Sequence, residues 1–295
     1  METNNLKETK QKIKRIVVDE FSKLTRQIEA DFPANYRLKV NNFLLNQMDE
    51  VTVANMVFVS SFESKSGNAI EKCAKRIARL TFGDDNVPDI VNPRGLKHRL
   101  YYSSGEGQLV VTDVDTDSSA LAAEITAFRA GNIAQGRGNG RVESGVTHAS
   151  CRSTLLPLSK KYRSSSIHTK PVDLAFFDGK DWNIIEIKAG GNLDSSNAPA
   201  NVEKLLKIFV CMGVDNCKAY FATLYNKDGE GNTWSAGVKK HLNYPSMFLI
   251  GSAFWEKILP KGVSFEDFTH LYRDALAEID LNKHINDMIK RCVRN

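Results

Sequence analysis

KPVDLAFFDGKDWNIIEIKAGGN, residues Lys170 to Asn192, reads as two apolar strands joined by a tight turn, with an Asp, a Glu and a Lys set into them. Ionisable groups are costly to bury in a strand unless a partner compensates them. The turn admits two even registers, because Asp-Gly and Gly-X are both favoured two-residue loops. With Gly179-Lys180 as the loop, Asp178 faces Asp181 and Asp173 stands opposite Glu186. With Asp178-Gly179, Asp173 faces Ile184 and lies diagonal to Glu186. In either register Asp173, Glu186 and Lys188 share one face, since side chains alternate along a strand. The other face carries Val172, Leu174, Phe176, Ile185 and Ile187 and is a core face. An odd loop or a bulge would break this alternation.

The two carboxylates then come within roughly 5–8 Å of each other at their Cβ atoms. Such a pair repels unless a cation neutralises it. An all-oxygen site of this size suits Mg²⁺, which keeps several waters for a substrate phosphate to displace. Standing alone, D…E-x-K is a common coincidence in a chain of which 25% is charged, and a solvated face or a surface ion pair explains most such matches. The register and the apolar opposite face lift this instance above that background.

The elements around the hairpin place it in a mixed sheet. Ile13, Ile16, Val17, Phe21, Leu24 and Ile28 recur at helical spacing and predict an amphipathic helix over Leu6 to Phe32, ended by Pro33, with a second helical stretch from Tyr36 to Gln47. A helix from Asn68 to Phe82 is closed by Gly83. GQLVVTDV predicts a strand, Ser118 to Arg129 a short helix, and Gly131 to Arg141 a mobile glycine-rich loop. After the hairpin follow a helix from Pro199 to Met212, strands at Lys218 to Tyr225 and Ser246 to Ile250, and a last helix from the Ser264 cap to Val293, with Asp267 completing a capping box. A hairpin among these elements excludes a run of pure βαβ units. The expected fold is therefore α/β with a mixed sheet, a central hairpin flanked by helices, and helical additions at both ends. It is read as one domain over residues 1–295, with an N-terminal helical extension (1–50), a core (60–260) and a C-terminal helix (264–293).

Composition excludes several classes. The 295 residues are 42% hydrophobic, which suits a globular protein. A net charge of +5 is compatible with a polyanionic partner without requiring one. No apolar run spans a membrane, and METNNLKETKQKIKR lacks the apolar segment of a signal peptide, so a cytoplasmic protein without a membrane partner is expected. The five cysteines are odd in number and never spaced C-x-x-C, which speaks against a disulfide framework or a zinc finger. Cys73 and Cys211 fall on apolar helical faces and read as core residues.

PVD (Pro171–Asp173) followed by EIK (Glu186–Lys188) resembles the PD-(D/E)XK nuclease signature, with Val inserted between Pro and Asp. ESKSGNAIEKCAKRIARLTFG resembles the helix preceding the core strands of many restriction endonucleases, with Glu71 at their acidic position. HASCRSTLLPLS, EIKAGGNLDSSNAPANVEKL and YPSMFLIGSAFWEKI together resemble the TdeIII/MjaII type of type II restriction endonuclease, over roughly Ser60 to the C-terminus. The resemblance implies Mg²⁺-dependent cleavage of double-stranded DNA at a short G·C-rich palindrome of the GGNCC kind, by a homodimer paired with a cognate DNA methyltransferase. It also implies that Asp173 and Glu186 bind the metal, that Lys188 handles the attacking water and the scissile phosphate, and that Glu71 assists. The plain alternative for Glu71 is an i,i+4 pair with Lys75 on a solvated helix face.

Candidates for DNA contact are Arg152, Lys160, Lys161, Arg163, Arg137 and Arg141. Gly190 and Gly191 join them, either admitting DNA close to the backbone or forming a plain loop. DVDTDSSALAAE imitates a calcium loop through Asp113, Asp115, Asp117 and Glu124. It lacks the required glycine at Ser118, so Asp117 or Ser118 as a helix cap is the better reading. The competing functions are a structure-specific repair or recombination nuclease on the same core, and an inactive DNA-binding protein. The complete Asp173, Glu186 and Lys188 set argues against the second.

Overall fold

The computed structural model describes residues 2–99, 107–136, 138–190 and 196–293. In chain order its elements are α1 (Glu2–Val40), α2 (Glu50–Phe82), β1 (Ile90–Val91), β2 (Gln108–Val114), α3 (Ser119–Gly131), the short α4 (His148–Ser150) and α5 (Leu158–Lys161), β3 (Arg163–Val172), β4 (Leu174–Phe177), β5 (Trp182–Lys188), α6 (Asn197–Met212), β6 (Cys217–Thr223), β7 (Phe248–Ile250), α7 (Ser252–Ile258), α8 (Phe265–Glu278) and α9 (Leu281–Val293). They fall into two compact units, 1–77 with 259–295, and 78–258.

The first unit is helical. The α1 stripe predicted from sequence is its core: Ile13, Val17, Phe21, Leu24, Ile28 and Phe32 are all buried. Phe21 meets Tyr272 of α8 edge-on at 5.2 Å, and Lys10 pairs with Asp267 at 2.6 Å. Arg76 of α2 clamps α1 through Asp19 and Glu20. Pro33 does not end α1; the helix runs on through it to Val40. Proline removes one helical N–H bond, but Phe32 is buried and stacks with Tyr36 one turn later at 6.3 Å, so packing on both sides carries the chain past it. Helix α2 likewise begins well before Asn68, where the Asp49 carboxylate accepts the Thr52 N–H at 2.9 Å. The β-branched run Val51, Thr52, Val53, Val57 and Val59 lowers local helix propensity and hid this start. The expected C-terminal helix is two helices: the Ser264–Asp267 capping box opens α8 as predicted, and Asp280 at φ 50° breaks the chain before α9.

The second unit is mixed α/β. One sheet has the order β1-β2-β3, the other β4-β5-β6-β7. Within them β1 and β2, β5 and β6, and β6 and β7 run parallel, while β2–β3 and β4–β5 are antiparallel. The hairpin lies where the two sheets meet, because β3 passes into β4 through the single bent residue Asp173. The buried Gln108 side chain spans the junction, donating to the Ala175 carbonyl and accepting the Ala175 N–H, both at 2.8 Å. Strand β3 was not anticipated: RSSSIHTK is too polar to signal a strand, and it pairs with β2 at Arg163 and again from His168 onward, with an irregularity between. Ser118 caps α3 by accepting the Leu121 N–H, which bears out the cap reading over the calcium loop.

The turn takes the first of the two registers. Leu174 pairs with Ile185 and Phe177 with Trp182, and the Asp178 N–H reaches the Asp181 carbonyl, leaving Gly179-Lys180 as the loop with Gly179 at φ 91°. Leu174, Phe176, Ile185 and Ile187 are buried as expected, with Phe176 stacked on Phe82 at 4.5 Å. Val172 departs from that face. The bend at Asp173 interrupts the alternation, and Val172 joins Ala175, Ile184, Ala219 and Phe221 in the cluster built around Val202, Leu205, Leu206 and Phe209 of α6.

Asp178 fixes the turn. Its carboxylate accepts from the N–H groups of Asp181 and Lys180, the Asn183 amide and the Lys257 ammonium. Partial burial pushes this carboxyl up, but those donors outweigh it and hold it well below the usual carboxylate range. A depressed carboxyl stabilises the fold above its unfolded pKa, and that contribution fades as pH falls through the folded value. We expect Asp178→Ala to cost about 2 kcal/mol at neutral pH. The gap to wild type should narrow in urea titrations as pH drops below about 4; a gap independent of pH would show that charge plays no part.

Candidate active site

Asp173 and Glu186 come together as the register requires, and the local folding explains how each is held. At the bend Asp173 cannot continue the ladder with its backbone, so its Oδ2 accepts the Ile187 N–H at 2.8 Å in place of a main-chain acceptor. Glu186 lies in β5 between β4 and β6 and is 1% exposed. A carboxylate so deeply buried needs charge compensation. Lys188 Nζ donates to Glu186 Oε1 at 2.6 Å. Lys204 Nζ, from the second turn of α6, stands 2.7 Å from Glu186 Oε2 and 3.2 Å from Asp173 Oδ1. The Oε2 contact is a close ion pair, and Lys204 is the partner that compensates this buried oxygen. Burial alone would lower the Lys204 pKa; the two carboxylates outweigh it and raise the ammonium above its ordinary value.

Lys204 went unnoticed in the sequence. It sits 16 positions beyond Lys188, and nothing in the spacing tells how α6 crosses the sheet. The available signal was the row Ala200, Lys204, Lys207 at i, i+4, i+7, a polar edge on an otherwise apolar helix. These three residues line a cleft of about 440 Å³ together with Lys170, Pro171 and Ile125.

The residues fit a hard divalent cation. The donors are oxygens, they oppose one another across the hairpin, and the pair already holds a cation, the Lys204 ammonium, between them. Among the described residues no cluster of three or more His, Cys, Asp or Glu occurs, so the protein would contribute two carboxylates. That count suits Mg²⁺, which retains waters and takes substrate phosphate oxygens.

The other candidates lie outside β4 and β5. Glu71 lies half-buried on the part of α2 that belongs to the first unit. Arg137 and Gly191 lie outside the described residues. Lys161 pairs with Glu124 at 2.5 Å, and Arg163 shares the buried Asp113 with Arg94. Arg141 holds Glu143 and the Lys239 carbonyl. These three are engaged in fixing local structure. Arg152 is exposed and donates to the Asp215 carbonyl, and Lys160 is exposed. Gly190 is buried, and a Cβ there would meet Tyr225 Oη at 2.4 Å, so its missing side chain makes room for Tyr225. His148 donates its Nε2–H to the Ala219 carbonyl, packs against Tyr220, and is pushed below its ordinary pKa by burial. It is a structural residue. No helix among the described residues is long and apolar enough to cross a membrane.

Residues 150–275 match the family model described as type II restriction endonuclease, HinfI. The match covers fewer than half of the residues but contains Asp173, Glu186, Lys188 and Lys204. No curated protein and no solved structure matches the chain. The family match indicates a type II restriction endonuclease, a hydrolase acting on DNA.

Proposed function

We propose that this restriction endonuclease hydrolyses both strands of DNA at a short palindrome, using Mg²⁺ held by Asp173 and Glu186, with Lys188 beside them. The observation that carries this reading is the opposed carboxylate pair, with Glu186 buried and two lysines against it, Lys188 at 2.6 Å and Lys204 at 2.7 Å. When bound, Mg²⁺ supplies water activation and neutralises charge on the leaving 3′ oxygen. The chain's own groups do the rest. Ile187 N–H fixes the orientation of Asp173, and Lys188, anchored on Glu186, orients the attacking water and offsets charge on the scissile phosphate.

A palindrome offers two identical half-sites, so a two-fold homodimer is the proposed working unit. The α1 stripe is consumed inside the first unit and offers no such contact. The exposed Leu38, Phe43, Leu44, Met48 and Val51 supply apolar surface instead. The G·C-rich character of the site and the pairing with a methyltransferase rest on the resemblance to the TdeIII/MjaII type, and the cytoplasmic location on the sequence composition. Digestion of a sequenced plasmid with Mg²⁺ and mapping of the ends tests the reading, alongside light scattering of the free protein. Defined ends at a repeated sequence support it; single-strand nicks by a monomer would overturn it in favour of a structure-specific nuclease.

The family resemblance alone carries Glu71 into the same proposal, as an assisting acid. We expect Glu71→Ala to lower the single-turnover cleavage rate by about 100-fold. A rate equal to wild type would return Glu71 to an ordinary helix-face ion pair.

A further inference from the structure

The cation already between the two carboxylates is Lys204. Its ammonium reaches both Asp173 and Glu186, at 3.2 and 2.7 Å, and sits where a divalent ion would have to bind. A +1 charge at that point opposes a +2 ion strongly, because Coulomb energies at such distances are large in a partly buried site. The same side chain is 41% exposed and lines the cleft that also holds Lys170 and Lys207. The cleft floor is apolar, formed by Ala122, Ile125, Pro171, Ala200 and Ile208, and Glu203 on its wall is already neutralised by Arg129 at 2.8 Å. An anion entering the cleft therefore meets three lysines, one of which must leave the carboxylates to reach it.

We propose that Lys204 is a resident counter-ion that keeps the Asp173–Glu186 site closed to metal in the free protein and is drawn into the Lys170–Lys207 cleft by a DNA phosphate, so that DNA and metal bind cooperatively. The inference rests on the nuclease reading of this site and adds its regulation. The coupling is reciprocal: whatever factor DNA adds to metal affinity, metal adds to DNA affinity. It delays charging of the site until substrate is present. Lys204 acts here as a positioning residue, through the carboxylates.

The test is calorimetric titration of the full chain with Ca²⁺ alone and with Ca²⁺ in the presence of a duplex carrying the mapped cleavage site. Wild type should bind Ca²⁺ weakly alone and about tenfold or more tightly with duplex. Lys204→Met should bind Ca²⁺ about tenfold more tightly than wild type without DNA, and gain little when duplex is added. Lys204→Arg, which keeps the charge, should behave as wild type. Lys204→Gln serves if the Met variant does not fold, and a larger Ca²⁺-induced rise in Tm for the uncharged variant reports the same effect independently. Equal or weaker Ca²⁺ binding by the uncharged variants, or an unchanged gain with duplex, overturns the inference. If Mg²⁺-dependent cleavage persists alongside such a result, the nuclease reading stands and the counter-ion role alone falls; if no cleavage occurs with any divalent ion, both fall.

Discussion

Asp173→Asn and Lys188→Met should each lower the cleavage rate by about 10³-fold or more while leaving a folded protein. The choice of variant follows from the geometry. Asp173 has two duties: its Oδ2 completes the strand ladder by accepting the Ile187 N–H, and its charge faces Glu186 and Lys204. Alanine would strand a buried N–H as well as remove the charge, confusing stability with chemistry. Asparagine keeps an acceptor and loses only the charge. Methionine at position 188 keeps the aliphatic length of a side chain that is 29% exposed and removes the ammonium from Glu186. Lys204 still neutralises that carboxylate, so the fold survives. Duplex binding measured in Ca²⁺ should persist for Lys188→Met. Near wild-type cleavage by either variant would mean that the hairpin is not the site, however well its register fits.

The hairpin was legible because its evidence is local. Two short apolar runs, one glycine turn and strict alternation determine which side chains share a face, and the structure takes one of the two registers that this logic allowed. The α1 core stripe and the Ser264 cap were legible for the same reason, since helical periodicity and capping are written within a few turns. Errors arose where tertiary contacts overrule local preference. Packing of Phe32 against Tyr36 carries α1 past Pro33, and pairing of Arg163 and of His168 to Val172 with β2 makes a strand of a stretch too polar to signal one. Lys204 shows the deeper limit. Its relation to Asp173 and Glu186 depends on where α6 crosses the sheet, which is set by the Leu205, Leu206 and Phe209 packing, and no spacing rule conveys that. Of the basic residues read as DNA contacts, Lys161 and Arg163 each gain a carboxylate partner on folding, which the spacing in sequence does not convey.

Gln108→Leu should destabilise the protein by about 3 kcal/mol and weaken cleavage further than that loss explains. The side chain is fully buried, and its carboxamide makes three hydrogen bonds: Nε2 donates to the carbonyls of Pro88 and Ala175, and Oε1 accepts the Ala175 N–H. Leucine fills similar space but leaves two carbonyls and one N–H without partners, each costing about 1–3 kcal/mol where water cannot reach. The consequence for chemistry follows from position. Ala175 is two residues beyond Asp173, and the Gln108 clamp holds β4 against the end of β2 just where the chain bends. Loosening β4 lets the Asp173 carboxylate drift from the Ile187 N–H, and small displacements of a reacting constellation cost far more in rate than in stability. Urea midpoints at constant m-value measure the first effect, and single-turnover cleavage well below the midpoint measures the second. A stability change under about 0.5 kcal/mol would show that the three groups find other partners. A rate equal to wild type in the destabilised variant would show that β3 and β5 hold Asp173 in place without help from the Gln108 clamp.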